Sequence, residues 1–340
     1  MKQHNKTTQQ RFREVMKEYR RSGKIAECFC HDKDSCNGNI KQSHSIQRNG
    51  RLSIIEGDVN GNQSIYTFTE MVSDDRNLFS SLRPIGKAEA STFFGFCDFH
   101  DSTLFAAIEN HQFDDSDYHC FMHSYRSFAH SYHRKKEELK AYSTKSAYTR
   151  LIPPFVLFGM IGGAKVAVKE IEIYKQKMDD LLELKDYSGL EYFTLTLPRK
   201  FPLACSSIIS PPYSYRNSPM NNHGDPTIPF SQIMLTILPD HDKTIIILAC
   251  FPDDIKAIHF MDELVDLYPV QLEKAISSIL ITCAENTFFA PALWEKLGAN
   301  GQKTLCAELQ QSAKSNATSF VHSKINFFDD RFSAGRLGIN

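Results

Sequence analysis

Cysteine and histidine side chains gather in two short groups near the start of the chain. The first group contains Cys28, Cys30 and Cys36, and the second is Cys97-Asp-Phe-His100. Structural zinc sites take four thiolate or imidazole ligands in a tetrahedron, usually as two short pairs. The sequence therefore predicts a structural Zn²⁺ bound by Cys28, Cys36, Cys97 and His100.

The first group offers more ligands than one site needs, because His31 also lies within it. Cys28 and Cys30 have a single residue between them, which makes a tighter and less usual chelate than Cys28 with Cys36. We therefore expect Cys28 and Cys36 to bind the ion, with Cys30 as the alternative ligand. The expected zinc–sulfur distance is about 2.3 Å.

Composition excludes some classes of protein before any element is assigned. The chain has 340 residues and a net charge of −1, so a nucleic-acid contact would need a local basic patch. Nine cysteines, an odd number in uneven positions, do not form a disulfide framework. The first residues lack the apolar core of a secretory signal, and together with the free thiols this predicts a cytoplasmic protein.

The chain divides by amino-acid composition into three parts. Residues 1–24 are basic and predict an amphipathic helix. Residues 25–150 are rich in Gly, Asn, Asp and Ser, and predict a small zinc-stapled module with a helical extension. Residues 151–340 carry longer apolar runs and predict an α+β domain. The predicted strands include 51–57, 64–72, 191–197, 230–238 and 244–251, the last two joined by a hairpin turn.

A second helix is predicted over residues 118–142, with two stripes at helical spacing. The apolar stripe should face the core. The polar stripe should be a solvated face, with phosphate or metal binding as the alternative. The apolar stripe is Phe121, Tyr125, Phe128 and Tyr132, and the polar stripe is His119, His123, Arg126, His130 and His133.

The segment from Phe155 to Val168 is the most apolar candidate for a membrane contact. It is too short to span a bilayer, contains three glycines and is interrupted by Lys165. We therefore predict buried core there, and no membrane contact for the protein.

A lone histidine lies between the two Cys groups, in Ile40-Lys-Gln-Ser-His44-Ser-Ile-Gln47. With one Cys group before it and one opening a helix after it, the layout resembles a treble-clef zinc fold, and specifically the HNH endonucleases. That resemblance implies that His44 is a general base and that a neighbouring group binds a catalytic divalent ion. The sequence departs from the HNH pattern at Ser43 and at Asp101, whose carboxylate could bind Mg²⁺ or Mn²⁺.

The N-terminal stretches also resemble a widespread group of uncharacterised bacterial proteins. They share a Cys-rich start, a Ser-His-Ser-Ile-Gln stretch, a Cys with a His-Asp pair, and a Tyr-Arg helix. Some members look like accessory or defence genes, so the resemblance implies a role against foreign nucleic acid, alone or with a protein partner in a defence complex. The sequence thus predicts a zinc-binding protein that recognises nucleic acid or a partner; the alternative is a divalent-metal HNH-type endonuclease with His44 as base and Asp101 at the ion.

Overall fold

The computed structural model describes residues 7–72, 78–222, 225, 228–312 and 317–328. The predicted basic helix forms between Thr8 and Gly23, and residues 1–6 of that prediction lie outside the described part. Thr7 caps this helix and exchanges hydrogen bonds with Gln10, which is the sequence signature of a helix start.

The first part of the chain combines short strands with helices. The fold class predicted from the sequence, mixed α+β, is confirmed. The elements are α1 (Thr8–Gly23), β1 (Ile40–His44), a π-helical turn (Arg48–Leu52), α2 (Ser53–Ile55), β2 (Gly57–Val59), β3 (Asn62–Val72), β4 (Leu78–Ile85), β5 (Thr92–Cys97), α3 (Asp98–Leu104), α4 (Ala106–Asn110), α5 (Asp117–Ser143) and α6 (Ala147–Leu151).

The second part begins with the longest helix. Its predicted strands form, and the predicted hairpin joins β8 to β9 through antiparallel pairing. The elements are α7 (Pro154–Leu184), β6 (Glu191–Leu197), β7 (Leu203–Ile209), β8 (Ile233–Pro239), β9 (Thr244–Cys250), α8 (Ile255–Val265), α9 (Pro269–Thr282), β10 (Thr287–Phe289) and α10 (Pro291–Ser312).

One antiparallel sheet connects both parts of the chain. Its order is β2-β3-β10-β7-β8-β9-β6, and β4 also pairs with β3. The pairing of β3 with β10, and of β10 with β7, joins residues from before and after position 150. The predicted boundary between residues 150 and 151 falls at the end of α6, and the sheet is shared by strands on both sides of it.

A separate two-stranded sheet carries the N-terminal groups. Strand β1 pairs antiparallel with β5, with a bulge between Lys41 and Ser43, and β5 leads directly into α3. Predicted strand 51–57 is wrong over most of its length, because residues 51–55 fold into the π-helical turn and α2, and the short strand β2 starts only at Gly57.

Helix α5 is buried on both faces, and the predicted solvated stripe is therefore wrong. It packs against β5 and α7, and its serines reach the large sheet, where Ser127 Oγ lies 2.8 Å from both Ser206 Oγ and Thr236 Oγ1. Arg126 of the stripe is buried together with an acidic partner from another helix, Glu109 of α4. The buried members are His119, His123, Arg126, His130 and His133.

The first half of α7 contradicts the prediction of buried core. Phe155 is 79% exposed and Phe158 is 80% exposed, whereas α7 buries Ile171, Met178 and Leu182 further along. Within residues 7–72, 78–222, 225, 228–312 and 317–328, no helix is long and apolar enough to cross a membrane.

Burial holds His123, His130 and His133 of α5 in their neutral form. It lowers the pKa of His133 to about 4, and the pKa values of His123 and His130 also lie well below the usual value. The backbone N–H of Phe94 donates to His133 Nε2 at 3.2 Å, so this nitrogen acts as an acceptor. Glu137 lies on the other side of the ring, with Oε2 3.6 Å from Nδ1.

Acidification should therefore destabilise the fold. Below about pH 6.5 the unfolded chain takes up protons on these histidines while the folded chain does not, so the free energy of unfolding falls as the pH drops toward 4. His133 alone should contribute a loss of about 2 kcal/mol between pH 7 and pH 5. Urea unfolding of the parent and of His133→Gln at the two pH values measures this. His241→Gln, at an exposed turn, is the control, and an equal loss in all three proteins would contradict the assignment.

Candidate metal centre

The loop that carries Cys28 is fixed by backbone bonds to β5. The N–H of Glu27 donates to Phe94 O at 3.1 Å, and the N–H of Phe29 donates to Gly95 O at 2.8 Å. The loop thus lies along β5 as β1 does on the other side. A Cβ atom on Gly95 would stand 2.9 Å from the Phe29 ring, so this close approach requires glycine.

The second pair of ligands lies at the junction between β5 and α3. Cys97 is the last residue of the strand and the N-cap of the helix, and its Sγ accepts the N–H of His100 at 3.5 Å. Burial by itself raises the pKa of Cys97, but hydrogen bonds from the backbone of His100 and Asn37 outweigh it and leave the pKa below the usual value. The helix start therefore favours a thiolate at this position.

The structure brings Cys28, Cys36, Cys97 and His100 together. The four ligand atoms all lie within 4.8 Å of one another, and His100 Nδ1 is 3.2 Å from Cys28 Sγ and 3.3 Å from Cys97 Sγ. In the described part of the chain, this is the single group of three or more metal-ligating side chains gathered so closely. It is the same set of four residues that the sequence predicts.

The chemistry of this group fits a zinc ion. Three thiols and one imidazole match the ligands of closed structural zinc sites. Burial raises the pKa of the Cys28 thiol to about 11, so a bound cation is what would keep this sulfur deprotonated at neutral pH. A bound ion would supply folding free energy by cross-linking the loop to the start of α3.

The far side of the His100 ring faces away from the sulfur atoms. Its Nε2 is buried and makes no hydrogen bond, and the nearest carboxylate oxygen of Asp32 lies 4.0 Å away. Metal-bound histidines commonly donate this second N–H to a carboxylate, which fixes the ring orientation. Asp32 is the side chain in position to do so here.

Cys30, the alternative ligand, lies outside the group. Its side chain is 1% exposed, and Asp32, Asp179 and Lys175 are the charges that act on it. Burial is the largest cause of its raised pKa. The structure thus separates Cys30 from the four side chains that surround the candidate zinc position.

His44 is the last residue of β1, and it does not belong to the metal group. Its Nδ1 lies 2.9 Å from Ala90 O, and a carbonyl can only accept, so Nδ1 carries the proton and the lone pair is on Nε2. Burial lowers the pKa of His44, and the charges of Arg126 and Arg48 lower it further. The ring is therefore neutral at pH 7.

Asp101 lies on α3, one residue beyond His100. Its Oδ2 is 3.3 Å from Lys41 Nζ, while its Oδ1 is buried without a hydrogen-bond partner. The charge of Asp101 raises the pKa of His44 against the larger, opposite effect of burial, and the elements that carry the two residues, β1 and α3, contact each other.

The sequence did not identify two residues, Arg126 and Gln47, as part of the surroundings of His44. Arg126 Nη2 donates to Glu109 Oε1 at 2.5 Å, and the guanidinium stacks 4.5 Å above the Phe105 ring. Gln47 donates to the backbone carbonyl of Glu109 at 2.9 Å, which ties the segment after β1 to α4. Arg126 belongs to the polar stripe that the sequence predicts on α5, but nothing in the sequence identifies Glu109 as the partner of Arg126.

Comparison with known proteins adds no assignment. No protein-family model, no curated protein and no solved structure matches this chain.

We expect the purified protein to contain about one equivalent of zinc per chain, and Cys97→Ser to lose it because the remaining ligands no longer close a tetrahedron. Elemental analysis measures the content after purification without chelators. Loss of zinc should also lower the free energy of unfolding by several kcal/mol, since metal-binding free energy is folding free energy in such a site.

Cys30→Ser is the matched control, because it removes a buried thiol from the same loop without touching the group. It should keep the zinc. Less than half an equivalent of zinc in the parent, or loss of zinc from Cys30→Ser but not from Cys97→Ser, would contradict the assignment.

Proposed function

We propose that this protein binds nucleic acid through a basic surface around α1, with the Cys₃His group holding the adjacent loop and helix in place through a structural zinc ion. One observation carries the proposal. Burial lowers the pKa of Arg20 of α1, and the positive charges of Arg83 of β4 and Arg134 of α5 lower it further, so three arginines from three elements act on one another.

Three guanidinium groups gathered from three elements repel one another. Glu137 accepts from Arg134 Nη1 at 2.8 Å, and the charge of Glu89 acts on Arg20, so the cluster is only partly neutralised. A polyanion would remove the remaining repulsion, and arginine matches phosphate geometry well. The net charge of the whole chain is −1, so this surface is the kind of local patch that a nucleic-acid contact needs.

The basic patch extends along α1. The helix carries five Lys or Arg against two Glu between Thr8 and Gly23, and Arg11, Arg13 and Arg21 are exposed. The aromatic side chain of Tyr19 holds α1 against the rest of the molecule, with ring centroids 4.6 Å from Tyr148 and 5.8 Å from Tyr142. The patch is therefore presented on a fixed helix.

We expect Arg20→Ala combined with Arg83→Ala to weaken binding to a labelled DNA or RNA duplex. Each lost phosphate contact lowers the slope of log affinity against log salt by about 0.9, so the double substitution should lower it by roughly two. Fluorescence anisotropy over a series of salt concentrations measures both quantities.

The control is Lys200→Ala combined with Lys274→Ala, which removes the same charge from exposed positions after β6 and on α9. The control should bind as the parent does. Equal weakening by both pairs would show a general charge effect, and no binding by the parent to DNA or RNA would exclude the proposal.

A second candidate function, divalent-metal-dependent cleavage of nucleic acid, is favoured by the tautomer of His44. A neutral ring with its lone pair on Nε2, oriented by the carbonyl of Ala90, is suited to deprotonate a water molecule. The unpartnered Oδ1 of Asp101 could bind Mg²⁺ or Mn²⁺ together with water and substrate phosphate, and the ion would stabilise developing charge. The resemblance to HNH proteins and to bacterial defence genes supports this candidate.

Cleavage, if present, should require added Mg²⁺ or Mn²⁺ and should fall at least about 100-fold in His44→Ala, because a general base contributes that much or more. His44 lies outside the metal group, so the variant should keep its zinc content and its thermal unfolding midpoint. His241→Ala is the control for removal of a histidine. Activity that survives in His44→Ala, or that needs no added ion, would contradict this candidate and leave binding alone.

A further inference from the structure

Arg126 of α5 is a buried arginine with few partners. It is 3% exposed, and within the described part of the chain its guanidinium makes one hydrogen bond, from Nη2 to Glu109 Oε1. Its Nε is buried without a partner. A guanidinium carries five N–H donors and keeps its charge at neutral pH. The fold therefore buries a positive charge while it satisfies one of the five donors, although buried charged groups are normally well paired.

One nitrogen of this guanidinium is still reachable from solvent. Nη1 makes no hydrogen bond with the described part of the chain, and unlike Nε it is not shut off from water. Glu109, the acidic partner at Nη2, has a side chain that is 35% exposed. The ion pair therefore lies at the boundary between the interior and solvent, where an incoming ligand can contact Nη1.

The guanidinium is held in place before any ligand binds. Its central carbon lies 4.5 Å from the centre of the Phe105 ring, and Phe105 is fully buried. Gln47 Nε2 donates to the backbone carbonyl of Glu109 at 2.9 Å, which fixes the residue that accepts from Arg126. A donor whose position is set by packing loses little conformational entropy when a ligand binds. The unused donors of Arg126 are therefore preorganised.

The charges that act on His44 favour an anion in this part of the molecule. Burial lowers the pKa of His44, and the positive charges of Arg126 and Arg48 lower it further. Asp101 acts in the opposite direction, with a smaller effect than either arginine. An anion bound to Arg126 would reduce the excess of positive charge that His44 experiences.

We propose that Arg126 binds a phosphate group of a nucleic-acid backbone and forms the phosphate subsite of the site around His44. This subsite deepens the proposed nucleic-acid function and rests on it. Arginine suits phosphate because its N–H groups are planar, rigid and permanently charged. A phosphate oxygen at Nη1 would give the guanidinium a second anionic partner beside Glu109. Phosphate binding is also the alternative that the polar stripe of α5 leaves open in the sequence.

Glu109 limits how tightly this subsite binds. Its carboxylate neutralises Arg126 when no ligand is present, and it repels an incoming phosphate because both carry negative charge. Glu109→Gln keeps an oxygen that can accept from Nη2 but removes the negative charge. The substitution should therefore strengthen phosphate binding, whereas an ion pair with a structural role alone predicts no change in it.

The first test titrates the full chain with inorganic phosphate at constant ionic strength. Calorimetry measures the dissociation constant, and NMR follows the ring protons of His44 in the same titration. We expect saturable binding that shifts the His44 resonance. Arg126→Gln should raise the dissociation constant at least about tenfold, because it removes charge-assisted hydrogen bonds. Glu109→Gln should lower it at least about threefold, because it removes the repulsion.

Asp266→Asn is the matched control, since it removes the acidic partner of another arginine, Arg216, which lies 2.8 Å away at an exposed position. The control should leave the phosphate affinity and the His44 resonance as they are in the parent. Circular dichroism checks the fold of each variant. If Arg126→Gln does not fold, Glu109→Gln still decides, because its side chain lies partly in solvent.

A dinucleoside monophosphate is the second probe, because it carries one phosphodiester and no phosphomonoester. It should compete with inorganic phosphate in the parent. Binding of inorganic phosphate without competition from the diester would overturn the assignment to a nucleic-acid backbone. The subsite itself would be overturned by a parent whose His44 resonance does not respond to phosphate, or by an unchanged phosphate affinity in Glu109→Gln.

The subsite and the surface around α1 can fail separately. Arg20→Ala combined with Arg83→Ala changes that surface and should leave the affinity for inorganic phosphate unchanged. A parent that binds DNA or RNA but shows no phosphate response at His44 would overturn the subsite and leave binding through α1. A phosphate affinity that falls in the Arg20 and Arg83 variant but not in Arg126→Gln would place the phosphate on α1 and also overturn the subsite.

Discussion

The position of β5 between two other chain segments is the constraint on which the candidate sites depend. One side of β5 binds the loop of residues 27–29 and the other side pairs with β1, while its end leads into α3. The loop brings Cys28, β1 ends at His44, and α3 begins with His100 and Asp101. Residues that are far apart in sequence therefore meet because they all attach to one short strand. Gly95 leaves room for the rings of Phe93 and Phe29, which a Cβ atom at this position would meet at 2.6 Å and 2.9 Å.

The same strand connects the metal group to the large sheet through α5. His133 of α5 accepts the N–H of Phe94, and Ser127 of the same helix contacts hydroxyl groups of β7 and β8. Loss of a bound ion would therefore destabilise more than the loop, because β5 would lose one of the segments that fix it. A bound ion would thus support a helix, α5, that packs against β7, β8 and β9 of the large sheet.

The sequence predicted the metal group because ligand type and local spacing carry most of the information. Cys97 and His100 are one helical turn apart, and a single residue between Cys28 and Cys30 made the wider pair with Cys36 preferable. Helix α5, the β8–β9 hairpin and the α+β class were also predictable from periodicity and turn residues. Residues 51–55 were assigned to a strand in error, because a short apolar run does not by itself distinguish strand from helix.

Burial was harder to predict than secondary structure, and the two errors have a common physical origin. Arg126 and His119 of the polar stripe pair with Glu109 and Asp114, which lie outside α5, and neither pairing follows from the spacing of the histidines. Glu137, four residues after His133 on the same helix, is the one partner that helical spacing predicts. The apolar start of α7 is exposed because nothing in the described part of the chain covers it. An apolar surface is more stable when it is shielded from water, but its composition does not identify the molecule that covers it.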